Sequence, residues 1–319
     1  MAQRSGGNPH RLLIMTHLLH TALIVSSALL LDHWLGEPQR YHPLVGFGRW
    51  AAYIEDWLYA PQRLRGVMVL CLTLSLPVIA TGLLSRLPEP WNDLFSVWTV
   101  YFAVGLRSLY DHTQPICEAL DRHDDYAARL ATARIVSRDH ETLSVLPATC
   151  ESILENGNDG VFAALFWFLL AGAPGVILYR LSNTLDATWG YKSPRYLAFG
   201  WAAARWDDVM NWVPARLTAL TYSLLGHKRQ ALACWHNQAP LWDSPNAGPV
   251  MAAGAGTLNI KLGGPACYAG KWQIRPWLGV GSPPLRQDID RSLSLVRQGT
   301  LLWVTIMLVI GGIVQSTVR

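Results

Sequence analysis

Four stretches of the chain are apolar over a length that can cross a lipid bilayer, namely 12–31, 66–85, 92–108 and 300–315. A spanning helix needs about 20 mostly apolar residues, because the hydrocarbon core is about 30 Å thick. The first stretch also resembles the apolar part of a secretory signal, with a conceivable cleavage site within 26–28. Functional-looking polar residues directly downstream favour a retained helix. The pattern predicts an all-α, polytopic integral membrane protein with about four transmembrane helices.

Two further apolar segments, 160–180 and 209–226, are interrupted. The first contains AGAPG at 171–175, and the second contains Pro214 and Arg216. Broken backbone or charge at membrane depth is tolerated only where protein or water covers it. We therefore predict a re-entrant or buried hairpin at 160–180 and a core helix at 209–226.

The distribution of basic residues predicts the orientation in the membrane. With the four spans above, 32–65 and 109–299 lie on one side, and they hold 4 and 17 of the 26 Lys and Arg residues. The positive-inside bias then places both in the cytoplasm. If 160–180 crossed the bilayer, 181–208 would face the other side, away from the other polar motifs. The Gly- and Pro-rich part, 237–299, is predicted to form a long, ordered cytoplasmic lobe.

Composition supports a single membrane-embedded helical domain over the whole chain of 319 residues. Charged residues make up 15% of the chain and hydrophobic residues 51%, whereas soluble chains carry about 25% charged residues. The net charge of +4 is small and scattered, which argues against a nucleic-acid partner. The five cysteines have no metal-binding spacing.

Residues 151–160, ESILENGNDG, place carboxylates directly before an apolar run. In a helix, Glu151 and Glu155 share a face, and Asp159 extends it. Several carboxylates in one wall ionise together cheaply only when a cation lies between them. Mg²⁺ prefers one or two carboxylates plus phosphate oxygens. These acids are candidates for catalysis or metal binding, and the alternative is a solvated helix face that ends in an Asn-Gly turn.

Arg205, Asp207 and Asp208 lie in AARWDDVMNWVPAR, among tryptophans and valines. Charges in such surroundings are costly unless they are paired or ligated. The cluster is therefore a candidate functional site, and the alternative is an ordinary ion pair within one helix.

Asn183, Asp186, Lys192 and Arg195 bracket a turn at Gly190. Basic side chains near a helix N-terminus can form a phosphate pocket. The alternative is that these basic side chains anchor the chain at the membrane interface.

The glycine-rich stretch 244–270, which includes Asn246 and Lys261, offers backbone N–H groups that can hold phosphate. It matches neither the P-loop nor the dinucleotide fingerprint. An ordered loop without a ligand is the alternative.

These polar stretches, in this order, resemble the adenosylcobinamide-phosphate synthase family of cobalamin biosynthesis, the CobD/CbiB family. The motifs are LDHWLGEP–YHPLVGFGRW, ESILENGNDG–FAALFW, NTLDATWGYK–RY–FGWAAARWDD–NWVPARLTA and SPNAG–GTLNIKLGGP–Y–RPWLG. The resemblance covers residues 25–300. The family pattern is closer to ENTSDG and NTLDSMVGYK, so hydroxyl side chains of that pattern are lost here, as at Gly157 and Ala187, while the acids and the lysine are kept.

The resemblance implies an ATP-dependent ligase that uses Mg²⁺ and joins adenosylcobyric acid, a corrinoid with a free propionate, to an amino-alcohol phosphate such as 1-aminopropan-2-yl phosphate. The product would be adenosylcobinamide phosphate, formed in the cytoplasmic (inner) membrane at a site facing the cytoplasm. The amino alcohol and its phosphorylation, the choice between acyl phosphate and acyl adenylate, and the oligomeric state stay open. A non-catalytic regulatory or sensor protein on this scaffold, and a transporter of an anionic metabolite, are the alternatives.

The resemblance and the chemistry of the side chains together give the candidate site residues. The candidate catalytic residues are Glu151, Glu155, Asp159 and Asp186. The candidate metal ligands are Glu155, Asp159, Asp207 and Asp208. The candidate substrate- or phosphate-binding residues are Arg138, Asn183, Lys192, Arg195, Arg205, Arg216, Asn246 and Lys261.

Overall fold

The computed structural model describes the backbone of residues 9–38, 40–191 and 193–318, and the side chains of these ranges from 18 to 313. Lys192, a predicted phosphate-binding residue, lies outside the described residues. The helices are α1 (Pro9–Leu35), α2 (Pro43–Leu58), α3 (Arg63–Leu84), α4 (Trp91–Ala103), α5 (Leu106–Asp121), α6 (Asp125–Thr132), α7 (Val145–Gly157), α8 (Ala163–Trp189), α9 (Tyr196–Phe199), α10 (Trp201–Leu224), α11 (Lys228–Gln238), α12 (Ala247–Leu258) and α13 (Arg286–Val318). A π-helix, Asn158–Phe162, joins α7 to α8, and a 3₁₀ helix, Ala239–Leu241, follows α11. The strands are β1 (Lys261–Gly263), β2 (Ala266–Tyr268), β3 (Lys271–Gln273) and β4 (Trp277–Gly279).

Four helical regions of the described chain are long and apolar enough to cross a membrane, judged by length and composition. They are Leu18–Leu35, Arg63–Leu84, Val145–Trp189 and Arg286–Ile313. The predicted span 92–108 is not one of them, because α4 has 13 residues and ends where Val104 becomes extended. A helix of that length rises only about 20 Å.

Although short, α4 runs parallel to α1 along most of the same distance. His20 of α1 lies 3.0 Å from Asp93 at the start of α4, measured from Nε2 to Oδ1. Near the other end of α1, Asp32 accepts a hydrogen bond of 2.8 Å from the backbone N–H of Arg107, just after α4. The segment 92–108 therefore runs from one end of the helical bundle to the other. Its helix, α4, is nevertheless too short to span a membrane by itself.

The segment 160–180 folds as a hairpin of two helical arms. Ala171 and Gly172 leave the helical conformation within α8, and Gly172 has a φ of 62°. The hydroxyl oxygen of Tyr179 lies 2.9 Å from the carbonyl oxygen of Asp159, whereas 20 residues of straight helix would separate them by about 30 Å. The predicted break at 171–175 is therefore present, and it reverses the direction of the chain.

The last long helix starts earlier than the apolar run 300–315 indicates. It begins at Arg286, inside the predicted lobe 237–299. Ile289, Leu293 and Val296 are buried, and their spacing of four and three residues places them on one face. The prediction followed only the continuous apolar run and so missed this amphipathic first half.

The rest of the predicted lobe is ordered and only partly irregular. It contains α12, which ends at Asn259 in the left-handed conformation, and two small antiparallel sheets. β1 pairs with β4, and Leu262 lies opposite Leu278. β2 pairs with β3 as a hairpin. The predicted core helix 209–226 is the larger part of α10, and most of its inward-facing residues are buried.

Candidate functional site: an acidic cleft

A cleft of about 320 Å³ opens between α7, the π-helix, α8, α10 and the start of α12. We call it the acidic cleft, because acids dominate its lining and Arg205 is the single basic residue among the described lining residues. Its acidic residues are Glu155, Asp159, Asp186, Asp207, Asp208 and Asp243. Such a surface attracts cations, and it repels a bare phosphate.

Segments that are far apart in the sequence meet at this cleft. The structure brings together Glu155 and Asp159 from ESILENGNDG, Asp186 from the stretch before Gly190, and Asp207 from AARWDDVMNWVPAR. The hairpin in α8 makes this possible, since it returns the chain to the same end of the bundle. Three other residues predicted from the sequence line the same cleft, namely Arg205, Asp208 and Asn246.

Asparagine side chains hold the two most central aspartates in place. Asp207 is buried and accepts hydrogen bonds from Asn183 at 3.3 Å and from Asn211 at 3.0 Å. Asn158 donates to Oδ1 of Asn211 at 2.9 Å and to Oδ1 of Asp159 at 2.8 Å. A chain of amides therefore links Asp207 to Asp159 across the cleft.

Two hydroxyls complete this network from behind. Tyr179 donates to Oδ1 of Asn211 at 3.0 Å, and Thr218 donates to Oδ1 of Asn158 at 2.9 Å. Asn158, Asn211 and Thr218 are all buried. Each amide is thus oriented by a hydroxyl, which fixes the carboxylates that the amides contact.

Burial changes the protonation of the acids on α10, which lies outside the four candidate spans. It raises the pKa of Asp207 to about 6, against the opposing effect of the hydrogen bonds from Asn183 and Asn211. Burial also raises the pKa of Asp208, although its ion pair with Arg205 at 3.0 Å opposes the change. Carboxylates in this state exchange a proton for a cation readily near neutral pH.

Glu151 lies outside the cleft lining, although it is only four residues before Glu155. Its side chain is 3% exposed and forms ion pairs with Arg138 and with Arg275, the latter at 3.1 Å. It also accepts a hydrogen bond of 2.9 Å from the backbone N–H of Gly263 in β1. These contacts fasten α7 to the strands, and they occupy both Glu151 and Arg138.

Arg195 and Glu55 form an ion pair away from the acidic cleft. Arg195 donates to Glu55 at 2.8 and 3.0 Å and lies over the ring of Tyr59 at 4.1 Å. Trp189 also donates to Glu55, at 2.8 Å. This cluster joins α2 to the end of α8, so the predicted phosphate-binding residue Arg195 serves here as a link between elements.

Arg216 supports the wall of the cleft and does not line it. It donates to Oδ1 of Asn246 and to the carbonyl oxygen of Pro245, at 2.9 and 3.0 Å. Asn246 in turn donates to the carbonyl oxygen of Asp208 at 2.8 Å. Lys261 is not among the lining residues, and its ammonium group lies 4.2 Å from the ring centre of Trp277.

Four residues of the site or its support were not predicted from the sequence, namely Asn158, Asn211, Asp243 and Arg275. Asn158 lies inside the first acidic motif, and Asn211 is four residues after Asp207 on the same helix, so helical spacing offered a signal for both. Asp243 and Arg275 lie in loop sequence, where spacing gives no such signal.

The donor chemistry of the cleft fits Mg²⁺, the ion that the resemblance implies. Mg²⁺ takes hard oxygen ligands, usually one or two carboxylates together with waters and substrate phosphates. In the described chain, the group of three acids or histidines close enough to hold an ion by themselves is His20, Glu89 and Asp93, at the other end of the bundle.

Comparison with known proteins identifies the family. The family model described as CobD/Cbib protein matches residues 25–296. The chain belongs to the CobD/CbiB family. A protein of Chromobacterium violaceum named cobalamin biosynthesis protein CobD is 53% identical over 302 residues, which are 91% of this chain and 96% of that protein. A protein of the same name from Stutzerimonas stutzeri is 54% identical over 90% of this chain and 96% of its own length.

A more distant relative extends the comparison. The Mycobacterium tuberculosis protein of the same name is 39% identical over 84% of this chain and 88% of its own length. No solved structure matches the chain. The matched residues include all parts of the acidic cleft, since its lining runs from Glu155 to Val250.

Proposed function

We propose that this chain acts in cobalamin biosynthesis as a membrane-embedded, ATP-dependent ligase. It would join the free propionate of adenosylcobyric acid to the amine of an amino-alcohol phosphate, giving adenosylcobinamide phosphate. Family membership and the names of the relatives support the pathway. The observation that carries the reaction is the acidic cleft, which gathers acids from separate stretches of the chain, at 155–159, 186 and 207–208, in one cavity.

The charge of the cleft matches the two reactants. An amine reaches the site as an ammonium ion, which a wall of carboxylates attracts. A carboxylate reacts with an amine only after activation, and ATP supplies the activating phosphoryl or adenylyl group. Bound Mg²⁺ would neutralise the charge of the ATP phosphates. Asp159 and Asp207, linked through the amides of Asn158 and Asn211, are the best ligands for it.

Glu155 and Asp186 line the cleft beside that pair and are the candidates to take the proton of the ammonium. Arg205 has a side chain that is 63% exposed at the mouth of the cleft, where it can contact a phosphate. Arg138, Arg195 and Arg216 are engaged in contacts inside the protein, so we leave them out of direct phosphate binding.

The experiment is an assay of ATP consumption by the detergent-purified full chain, with adenosylcobyric acid and 1-aminopropan-2-yl phosphate supplied together or singly. We expect consumption that requires both, and formation of one amide per ATP. Glu155→Gln removes the proton acceptor and should lower the rate at least about 100-fold. Glu118→Gln, at an exposed position on α5, is the matched control and should keep the parental rate.

The same assay separates the alternatives. A regulatory or sensor protein would consume no ATP with both substrates present. A transporter that consumed ATP would form no amide. Free aminopropanol in place of its phosphate tests which form of the amine is used. Parental activity in Glu155→Gln would remove Glu155 from the mechanism.

A further inference from the structure

A second cavity, of about 220 Å³, lies against a different face of α7 from the acidic cleft. We call it the Arg180 cavity. Its polar lining includes Ser108, His112, Arg134, Ser152, Asn156 and Arg180. Along α7 and the π-helix the residues alternate, since Glu155 and Asp159 line the acidic cleft while Asn156 and Gly160 line the Arg180 cavity. This segment is therefore a wall between an acidic and a basic compartment.

The guanidinium of Arg180 is short of partners. Its Nε is buried and makes no hydrogen bond within the described chain, and no ion pair to Arg180 occurs there either. Asp32 and Glu37 line a narrow pocket that also touches Arg180, but other groups engage them. Asp32 accepts from the backbone N–H of Arg107, and Glu37 accepts from Ser108 at 2.7 Å. A buried guanidinium nitrogen without a hydrogen-bond acceptor is costly, so the cavity favours an anion that can accept from it.

The neutral donors of the cavity are used inside the protein. Ser152 donates to the carbonyl oxygen of Ile135 at 3.2 Å, and Asn156 donates to the carbonyl oxygen and hydroxyl of Ser152. Arg134 is exposed, and its side chain forms no hydrogen bond or ion pair with the described residues. The uncommitted donors on this lining are thus mainly the guanidinium groups of Arg134 and Arg180.

We propose that the Arg180 cavity binds a phosphate group between Arg134 and Arg180. The fork of N–H donors on a guanidinium matches the oxygens of a phosphate and can bind two at once. A cavity needs about 10–15 Å³ to hold one water, so this one has room for a phosphate ester. The phosphate can come from a soluble monoester or from the headgroup of an anionic lipid, since both present the same oxygens. The wall formed by α7 makes this site separate from the proposed reaction.

The test measures binding of inorganic phosphate to the detergent-purified full chain by calorimetry. EDTA is present, so that no divalent ion recruits phosphate to the acidic cleft. We expect saturable binding by the parent protein and a Kd raised at least about tenfold in Arg180→Gln and in Arg134→Gln. Arg122→Gln removes the same charge from an exposed position just after α5 and should bind like the parent.

A second arm tests the lipid as the source. The protein is reconstituted in vesicles of phosphatidylglycerol, extracted, and weighed by native mass spectrometry for retained lipid. If the parent retains lipid but does not bind inorganic phosphate, and Arg180→Gln loses the lipid, the site binds a lipid headgroup. Equal phosphate binding and lipid retention in Arg180→Gln, or neither in the parent, overturns the proposal. If Arg180→Gln fails to fold, the exposed Arg134 decides through its own variant.

Discussion

Glu151 and Glu155 show how two identical side chains, one helical turn apart, come to differ in role. Glu151 faces β1 and is neutralised by Arg138 and Arg275. Glu155 faces the acidic cleft, and no ion pair to it occurs in the described chain. The environment of each carboxylate, set by what packs against α7, therefore separates a structural acid from a candidate reactive one.

This difference predicts opposite behaviour of two matched variants. Glu151→Gln leaves two largely buried arginines without a counter-ion, which should lower the free energy of unfolding by about 3–5 kcal/mol. Glu155→Gln removes a buried charge that has no ion-pair partner and should leave stability unchanged or raise it. Thermal unfolding of both proteins in detergent measures this. A Glu151→Gln protein as stable as the parent would contradict the structural role.

Asp207 predicts how magnesium binding depends on pH. Its pKa is about 6 in the folded protein, against 3.8 as the ordinary value. The folded state thus holds this proton more tightly, so the contribution of Asp207 to stability is full below pH 3.8 and is lost as the pH rises to about 6. The loss totals about 3 kcal/mol. Mg²⁺ replaces the proton, so it should raise the melting temperature more above pH 6 than below it.

The measurement is the shift in melting temperature at a fixed Mg²⁺ concentration across this pH range. Asp207→Asn carries no titratable group at this position, and it should reduce both the Mg²⁺ effect and its dependence on pH. A shift that is equal on both sides of pH 6 would show that Asp207 is not a ligand.

At the scale of elements, the segment from α7 through the π-helix to α8 builds the site. The π-helix at Asn158–Phe162 accommodates an extra residue per turn, and within it Asn158 and Asp159 both point to the cleft side. The carbonyl oxygen of Gly160 accepts from the backbone N–H of Gly105 at 2.9 Å. This contact holds the π-helix against the start of α5.

Gly157 allows α7 to approach its neighbours closely, which gives a prediction for this element. A Cβ here would collide with the hydroxyl of Tyr222 and would lie 2.7 Å from Cγ2 of Val296. Tyr222 is fully buried and donates to the carbonyl oxygen of Leu154, so it cannot move freely. Gly157→Ala should therefore cost about 1–3 kcal/mol of stability.

The matched control is Gly46→Ala in α2, where nothing lies within 4 Å of the added methyl group. That variant should be neutral or stabilised by about 1 kcal/mol, as alanine favours the helix. Thermal unfolding of the two variants side by side tests this, and equal melting temperatures would argue against close packing at Gly157.

At the scale of the whole molecule, contacts sort the ends of the long helices into two groups. The backbone of Leu19 in α1 lies against Gly311 in α13, and His20 lies beside Asp93. Leu19 and His20 of α1, the start of α4 and Gly311 near the end of α13 thus lie at one end of the bundle. Asp32, the start of α5 and the acidic motifs belong to the other end.

This arrangement predicts the topology. A periplasmic reporter such as alkaline phosphatase should be active after residue 319 or within 86–90, because basic residues are sparse there. The same reporter within 226–228, between α10 and α11, should be inactive, and green fluorescent protein should fluoresce there. Activity of alkaline phosphatase at 226–228 would place the acidic cleft on the periplasmic side.

The sequence alone determined the helical class, three of the long apolar helices and the break in 160–180. These features follow from hydropathy and from Gly and Pro, which act over neighbouring residues. It also identified most acids of the cleft, because Glu155, Asp159, Asp186 and Asp207 belong to recognisable motifs. The sequence did not predict that α4 is short or that α13 begins with an amphipathic half, because a search for continuous apolar residues detects neither feature.

Only the tertiary structure decided which charged residues face each other. Arg138 and Arg195 are as basic in sequence as Arg205 and Arg180. Yet Arg138 pairs with Glu151 in α7 and Arg195 pairs with Glu55 in α2, while Arg205 lines the cleft and Arg180 lines a second cavity. Arg195 and Glu55, which form an ion pair, are more than 100 residues apart in the sequence. No local pattern encodes that distance, because burial and pairing arise only when the helices pack together.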